Sequence, residues 1–124
     1  MQLNLERPDY QYTLRGANGS SALVNAQRLQ ASFIISPNQL IENWPVQDAT
    51  ALTSTHFDEL LALNPELILL GTGARQVFPP AAVLAACLQH GIGVEVMAND
   101  SAARTYTILA GEGRRVVAAF LFAG

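Results

Sequence analysis

Leu67-Ile68-Leu69-Leu70-Gly71-Thr72-Gly73 and, further on, Gly91-Ile92-Gly93-Val94-Glu95-Val96-Met97 decide how this chain folds. Leu67–Leu70 is an unbroken apolar run, the pattern of a strand covered on both faces of a sheet. Ile92–Met97 has the same character apart from Glu95. Between the two runs, Pro80 stands where a first helical turn accepts proline, and Gly91 stands where a helix end takes positive φ. Val83, Leu84, Cys87 and Leu88 form an apolar stripe on the intervening helix. Strand, helix, strand over residues 66–97 predicts an adjacent parallel pair joined by a right-handed crossover. Both strands are expected to be buried on both faces, with Glu95 held by an arginine or a hydroxyl, because a carboxylate in a covered strand must be paired or neutral.

Working outward, Asn99 reads as the cap of a helix that ends at Gly111, and Arg115 to Phe122 as the last strand. On the other side, Thr55 reads as an N-cap with Asp58 three residues on, before a helix that buries Phe57, Leu60, Leu61 and Leu63 and stops at Asn64-Pro65. The first half reads as β structure. Tyr10–Arg15 and Ala22–Asn25 alternate loosely around the turn cluster Gly16–Ser20, and Ala31–Ser36 is a third strand closed by Pro37-Asn38. Leu40–Thr53, with Trp44-Pro45, has no clear period and reads as an ordered loop. The sum is an α/β chain: antiparallel N-terminal strands joined to a small wound sheet, in a single domain over residues 1–124.

Half of the 124 residues are hydrophobic and 14% are charged, enough to bury a core. The formal charge of −3 argues against a general nucleic-acid binder, which needs a basic surface to release counterions. All the cationic side chains are arginines; without a lysine the chain can form neither a Schiff base nor a P-loop. The single cysteine, Cys87, has no internal disulfide partner, which fits a reducing compartment, and it should lie buried beside Val83, Leu84 and Leu88. Met1–Pro8 is polar, with no targeting signal, and the longest apolar run, Val116–Ala123, is too short to span a bilayer. These features predict a soluble, cytoplasmic protein without a transmembrane segment.

Chemistry-bearing motifs are sparse. Gly71-Thr72-Gly73-Ala74-Arg75 leaves a strand directly, where open α/β sheets bind ligands, yet Gln76 replaces the third glycine of a dinucleotide fingerprint. Taken alone, these glycines equally suit a tight strand-to-helix turn. Residues 1–70 carry three arginines and seven acids, leaving −4, whereas residues 71–124 carry four and three, leaving +1. Arg75, Arg104, Arg114 and Arg115, beside segments that border strand ends, therefore stand out as candidate anion contacts, each with a plainer reading; Asp100, four residues before Arg104, makes it half of a surface helix pair, and Arg114 and Arg115 suit a solvated loop. His56 and His90 lack companions for a zinc site, and no Gly-x-Ser-x-Gly elbow is present. No catalytic residue, metal or cofactor is expected.

Leu69-Leu70-Gly71-Thr72-Gly73, Phe78-Pro79, Gly91–Met97, Ala102-Ala103-Arg104-Thr105-Tyr106 and Glu112-Gly113-Arg114-Arg115-Val116-Val117-Ala118-Ala119 follow one another at compatible spacing. In these motifs the chain resembles the small, functionally uncharacterised bacterial and archaeal family related to mitochondrial NADH dehydrogenase (complex I) assembly factor 3. The likeness runs from about Leu67 to Leu121, and more loosely from Asn18 through Phe33–Pro37 to Trp44. It departs at Thr107, where asparagine is usual, and around Ala98-Asn99-Asp100. The resemblance implies a three-layer α/β fold whose central mixed sheet is flanked by helices, with a final strand antiparallel to its neighbours. It also implies a protein partner, by analogy with respiratory-complex assembly.

Three functions stand open on these residues. One is a non-enzymatic binding or assembly factor. Another is a small anionic-ligand binder or enzyme using Gly71, Thr72, Gly73, Arg75 and Arg104, with Glu112 and Arg114 as a second locus. The third is a homo-oligomer packed through the alanine-rich helix Ala81–Ala86.

Overall fold

The computed structural model describes residues 10–123. The chain runs β1 (Leu14–Ala17), β2 (Ala22–Val24), β3 (Gln27–Leu29), β4 (Phe33–Ser36), β5 (Gln39–Ile41), α1 (Ser54–Leu61), β6 (Leu67–Gly71), α2 (Ala81–Gln89), β7 (Gly93–Met97), α3 (Asn99–Gly111) and β8 (Val116–Phe120). A three-stranded antiparallel sheet, β1-β2-β3, is separate from a five-stranded mixed sheet ordered β5-β4-β8-β6-β7.

The five-stranded sheet is the middle layer, and alternation along its strands sorts the core into two halves. Phe33, Ile35, Leu69, Val116, Ala118 and Phe120 face α3 and the small sheet, where they meet Leu14, Val24 and Tyr106. Ile34, Ile68, Leu70, Val117, Ala119 and Val96 face α1, α2 and the Trp44 segment, where they meet Phe57, Leu60, Val83 and Cys87. This is why β4, β6 and β8 read as continuous apolar runs: both of their faces are covered. The stacked rings of Phe33 and Phe120, with centroids 5.2 Å apart, fill the α3 side next to Ala118.

The parallel pair β6–β7 is in register from Leu67–Gly93 to Gly71–Met97, joined through α2 as the sequence predicts. From β7 the chain reverses, crosses the opposite face as α3 and enters β8 on the far side of β6, parallel to it. Two crossovers of one hand running in opposite directions must lie on opposite faces. That reversal corrects two expectations. Among the described residues no strand pairs with the outer side of β7, so it is an edge strand and its Glu95 is exposed rather than paired in a covered site. The final strand is antiparallel to β4 but parallel to β6, not antiparallel to both.

Other differences are local. The first strand begins at Leu14 rather than Tyr10 and takes up Gly16 and Ala17 from the supposed turn. Ala31–Ser36 shortens to β4, and the last strand ends at Phe120. The segment read as a loop from Leu40 onward contains the end of β5 and a 3-10 turn at Ala49–Ala51 capped by Asp48. Helix α1 is capped by Thr53, not Thr55, because His56 completes a reciprocal box: its Nδ1 accepts from the Thr53 amide at 3.0 Å while the Thr53 hydroxyl accepts from the His56 amide. Leu88, placed in the apolar stripe of α2, is 66% exposed, whereas Cys87 and Val83 are buried. The polar stretch Met1–Pro8 lies outside the described residues.

Cys87 sits between α2 and the sheet, where burial first and the nearby Asp58 carboxylate second push its thiol up. A thiol both covered and held protonated reacts slowly. Native protein is therefore expected to resist an aromatic disulfide reagent over minutes and to react at once in denaturant; rapid native labelling would contradict the packing.

Candidate functional site

The natural place for a ligand is the carboxyl end of β6 and β7, where the connections leave for opposite faces of the sheet and a crevice opens in proteins of this topology. Here the chain fills that end with its own polar groups. The Asn99 side chain, completely buried, accepts from the Gly73 amide at 3.0 Å and donates to the carbonyls of Asn18 at 3.0 Å and Leu121 at 3.1 Å. One amide thus links the exits of β6 and β8, the first turn of α3 and the β1–β2 turn. It is not the N-cap that the sequence suggests; Ala98 takes that position, and Asn99 is the first helical residue.

The Gly71-Thr72-Gly73 turn is built around this staple. A methyl group at Gly71 would lie 2.5 Å from Asn99 Oδ1 and 2.9 Å from Phe120, so only glycine lets Asn99 close over β6. Gly73 has φ +104°, a conformation that side chains rarely take. The Thr72 amide donates to Met97 O, and its hydroxyl donates to Arg75 O at 2.6 Å and accepts from the Val77 amide at 2.9 Å. Gln76 Nε2 donates to Val96 O at 2.8 Å. The Thr72, Gly73 and Val77 amides are all engaged, and Arg75 projects from the turn exposed to solvent.

The site residues singled out in the sequence fall in three places. Gly71, Thr72, Gly73 and Arg75 form the closed turn. Arg104 lines a different feature, a groove of about 590 Å³ between β1 and α3, with Leu14, Arg15, Gly16, Ala17, Asp100, Ala103, Thr107 and Ile108. Arg114 lines a third, a groove of about 400 Å³ at the opposite end of the sheet, between the ends of α1 and α3 and the β4–β5 turn. Glu112 is exposed at the end of α3. Asp100 approaches Arg104 at 3.9 Å, the helix pair anticipated from their spacing.

Glu66 organises that third groove. Its carboxylate accepts from the Arg115 amide at 2.9 Å and from Arg114 Nε at 3.2 Å, while the Glu66 amide donates back to Arg115 O. The backbone bond from Arg115, with Arg114 and the arginine charges behind it, holds the carboxyl below its ordinary value of 4.5. Tyr106, buried in the α3 layer, has a hydroxyl without a hydrogen-bond partner among the described residues, and burial pushes its phenol far up.

Sequence reasoning missed Arg15. The β1–β2 register jumps between Leu14 and Gly16, which makes Arg15 the extra residue of a bulge and turns it toward the α3 groove. A glycine inside a strand pattern is the signal that could have shown it.

The fold and its exit turn define a three-layer α/β protein whose switch point is sealed by an internal amide. The chain belongs to the family of proteins of unknown function DUF498/DUF598, whose profile matches residues 15–121. A Xanthomonas campestris protein solved by NMR is 58% identical and superposes with a TM-score of 0.83 over 98% of this chain and 92% of that one. The "13 kDa major membrane protein" of Francisella tularensis subsp. holarctica is 35% identical over 76% of this chain and 77% of its own length. The human "NADH dehydrogenase [ubiquinone] 1 alpha subcomplex assembly factor 3" is 30% identical over 84% of this chain, which spans only 57% of that protein. Among the described residues no helix is long and apolar enough to cross a membrane.

Two outcomes test this geometry. Asn99→Ala removes three hydrogen bonds, leaves the buried Leu121 carbonyl unpaired and should destabilise the fold by about 1–3 kcal/mol, read by urea unfolding. Gly71→Ala should be strongly destabilising in the native background and less so beside Asn99→Ala, since the clash with Oδ1 is then gone and only that with the Phe120 ring is left; strict additivity would deny the Asn99 contact.

The Glu66 carboxyl is lowered in the folded state, so its contribution is complete above pH 4.5 and is lost as pH falls through the lower folded value. The stability difference between wild type and Glu66→Gln should therefore shrink on acidification from pH 7 toward pH 3, and a difference constant across that range would contradict the assignment.

Proposed function

We propose that this protein acts by binding and assembling partners rather than by turning over a substrate, in the manner of an assembly factor for a respiratory NADH dehydrogenase. The observation that carries the reading is the 30% identity to the human assembly factor over 84% of this chain. The chemistry of the switch point agrees with it. The polar groups of Thr72, Gly73 and Asn99 are taken up by other groups of the chain, so an anion placed there would have to displace Asn99 from the Gly73 amide. Respiratory complexes are assembled from many subunits, and a factor that holds a partly built module needs complementary surface more than reactive groups.

Deletion of the gene in its native host tests the proposal, with blue-native electrophoresis of membranes and NADH–ubiquinone activity as readouts. The expected result is a several-fold loss of assembled complex, with subassemblies accumulating and wild-type chain restoring it. Normal complex in the deletion strain would overturn the reading.

A further inference from the structure

The groove between β1 and α3 joins features that the architecture does not require. Arg15 stands on one wall at a bulge, the device by which a strand re-aims a single side chain. Arg15 has neither a hydrogen bond nor an ion pair among the described residues. Arg104 stands on the other wall with its side chain 70% exposed, tied among the described residues to Asp100 at 3.9 Å and to the Ser101 hydroxyl at 3.3 Å. One helical turn on, Ile108 is 61% exposed on the same lining, next to Leu14 and Ala17. The walls meet at the Thr107 hydroxyl, which shares its one proton between Leu14 O at 3.1 Å across the junction and Ala103 O at 3.0 Å on its own helix. Two arginines against one aspartate make this a positive spot on a chain of net charge −3.

We propose that this groove is a docking cleft for an acidic, aliphatic segment of a partner protein. A carboxylate seats between Arg15 and Arg104, and an aliphatic side chain of the same segment packs on Ala17 and Ile108. Charge complementarity selects the occupant: the guanidinium fork bonds carboxylates in pairs, and arginine is among the residue types enriched as interface anchors. The inference rests on the binding reading above and adds its place and its chemistry.

The test is selection of a random dodecapeptide phage library on the immobilised full-length chain, followed by fluorescence anisotropy with the enriched peptides. Enriched sequences should place Asp or Glu beside Leu, Ile or Val. Their affinity should fall more than tenfold, about 1.4 kcal/mol, in Arg15→Gln and in Arg104→Gln, and several-fold in Ile108→Ala. Lysine-for-acid versions of the peptides should not bind. Melting curves establish that each variant is folded; if Arg15→Gln disturbs the bulge, Arg104→Gln and Ile108→Ala, both exposed on α3, carry the test. Failure to enrich such peptides, or binding unchanged by the substitutions, overturns the inference. So does displacement by low-millimolar inorganic phosphate that shifts the same residues, which would mark a free-anion site. The two readings fail separately: normal respiratory-complex assembly in an Arg15→Gln/Arg104→Gln strain, against a defect in the deletion strain, removes the cleft and leaves the assembly role standing.

Discussion

The buried side-chain amide of Asn99 is the constraint around which this molecule closes. Its carbonyl oxygen holds the amide of Gly73 and its nitrogen bridges Asn18 O and Leu121 O, so four stretches far apart in sequence meet on one group. The bond to Leu121 O is buried and expensive to break, because the carbonyl left behind has no water to turn to; those to Gly73 and Asn18 lie at the partly buried edge of the same group. The arrangement also dictates its neighbours. Gly71 must be glycine so that Asn99 can approach β6, and Gly73 must be glycine so that the chain can turn back to present its amide. Helix α3 then starts where its first residue can reach all three partners.

The topology and this staple belong together. Reversing direction at β7 puts α2 and α3 on opposite faces and opens the crevice in which many α/β proteins bind a cofactor. This chain fills the crevice with Asn99, Thr72 and Gln76 instead. The consequence for function is geometric. Accessible grooves lie between β1 and α3, at the far end of the sheet beside the Glu66–Arg114 pair, and along the Trp44 segment beside Phe122.

The central strands were legible because burial on both faces leaves only apolar residues to choose from. Leu67–Leu70, Phe33–Ile35 and Val116–Phe120 all show it, and α2 and α3 followed from their glycine and proline punctuation. The short strands β3 and β5 were not legible. Gln27–Leu29 and Gln39–Ile41 are edge strands with exposed residues, and edge positions impose little pattern. Glu95 was read as an anomaly in a covered strand, whereas its presence marks an edge; the same residue supports either reading until strand order is known.

What the sequence by itself determined is the local and periodic part: which segments are apolar on both sides, where helices begin and end to within a residue or two, and that Leu67–Met97 forms a parallel crossover unit. Only the tertiary structure decided the rest, because it depends on contacts between distant residues. Asn99 in isolation is a good N-cap, and it becomes a core bridge only when residues 18, 73 and 121 surround it. Arg75 and Arg104 were grouped as neighbours of strand exits, yet Arg104 faces β1 while Arg75 projects from the closed turn. A one-residue bulge, invisible in composition, set Arg15 opposite Arg104. Spacing along a chain fixes which face of its own element a residue occupies, but which element stands across from that face is settled only when the layers pack.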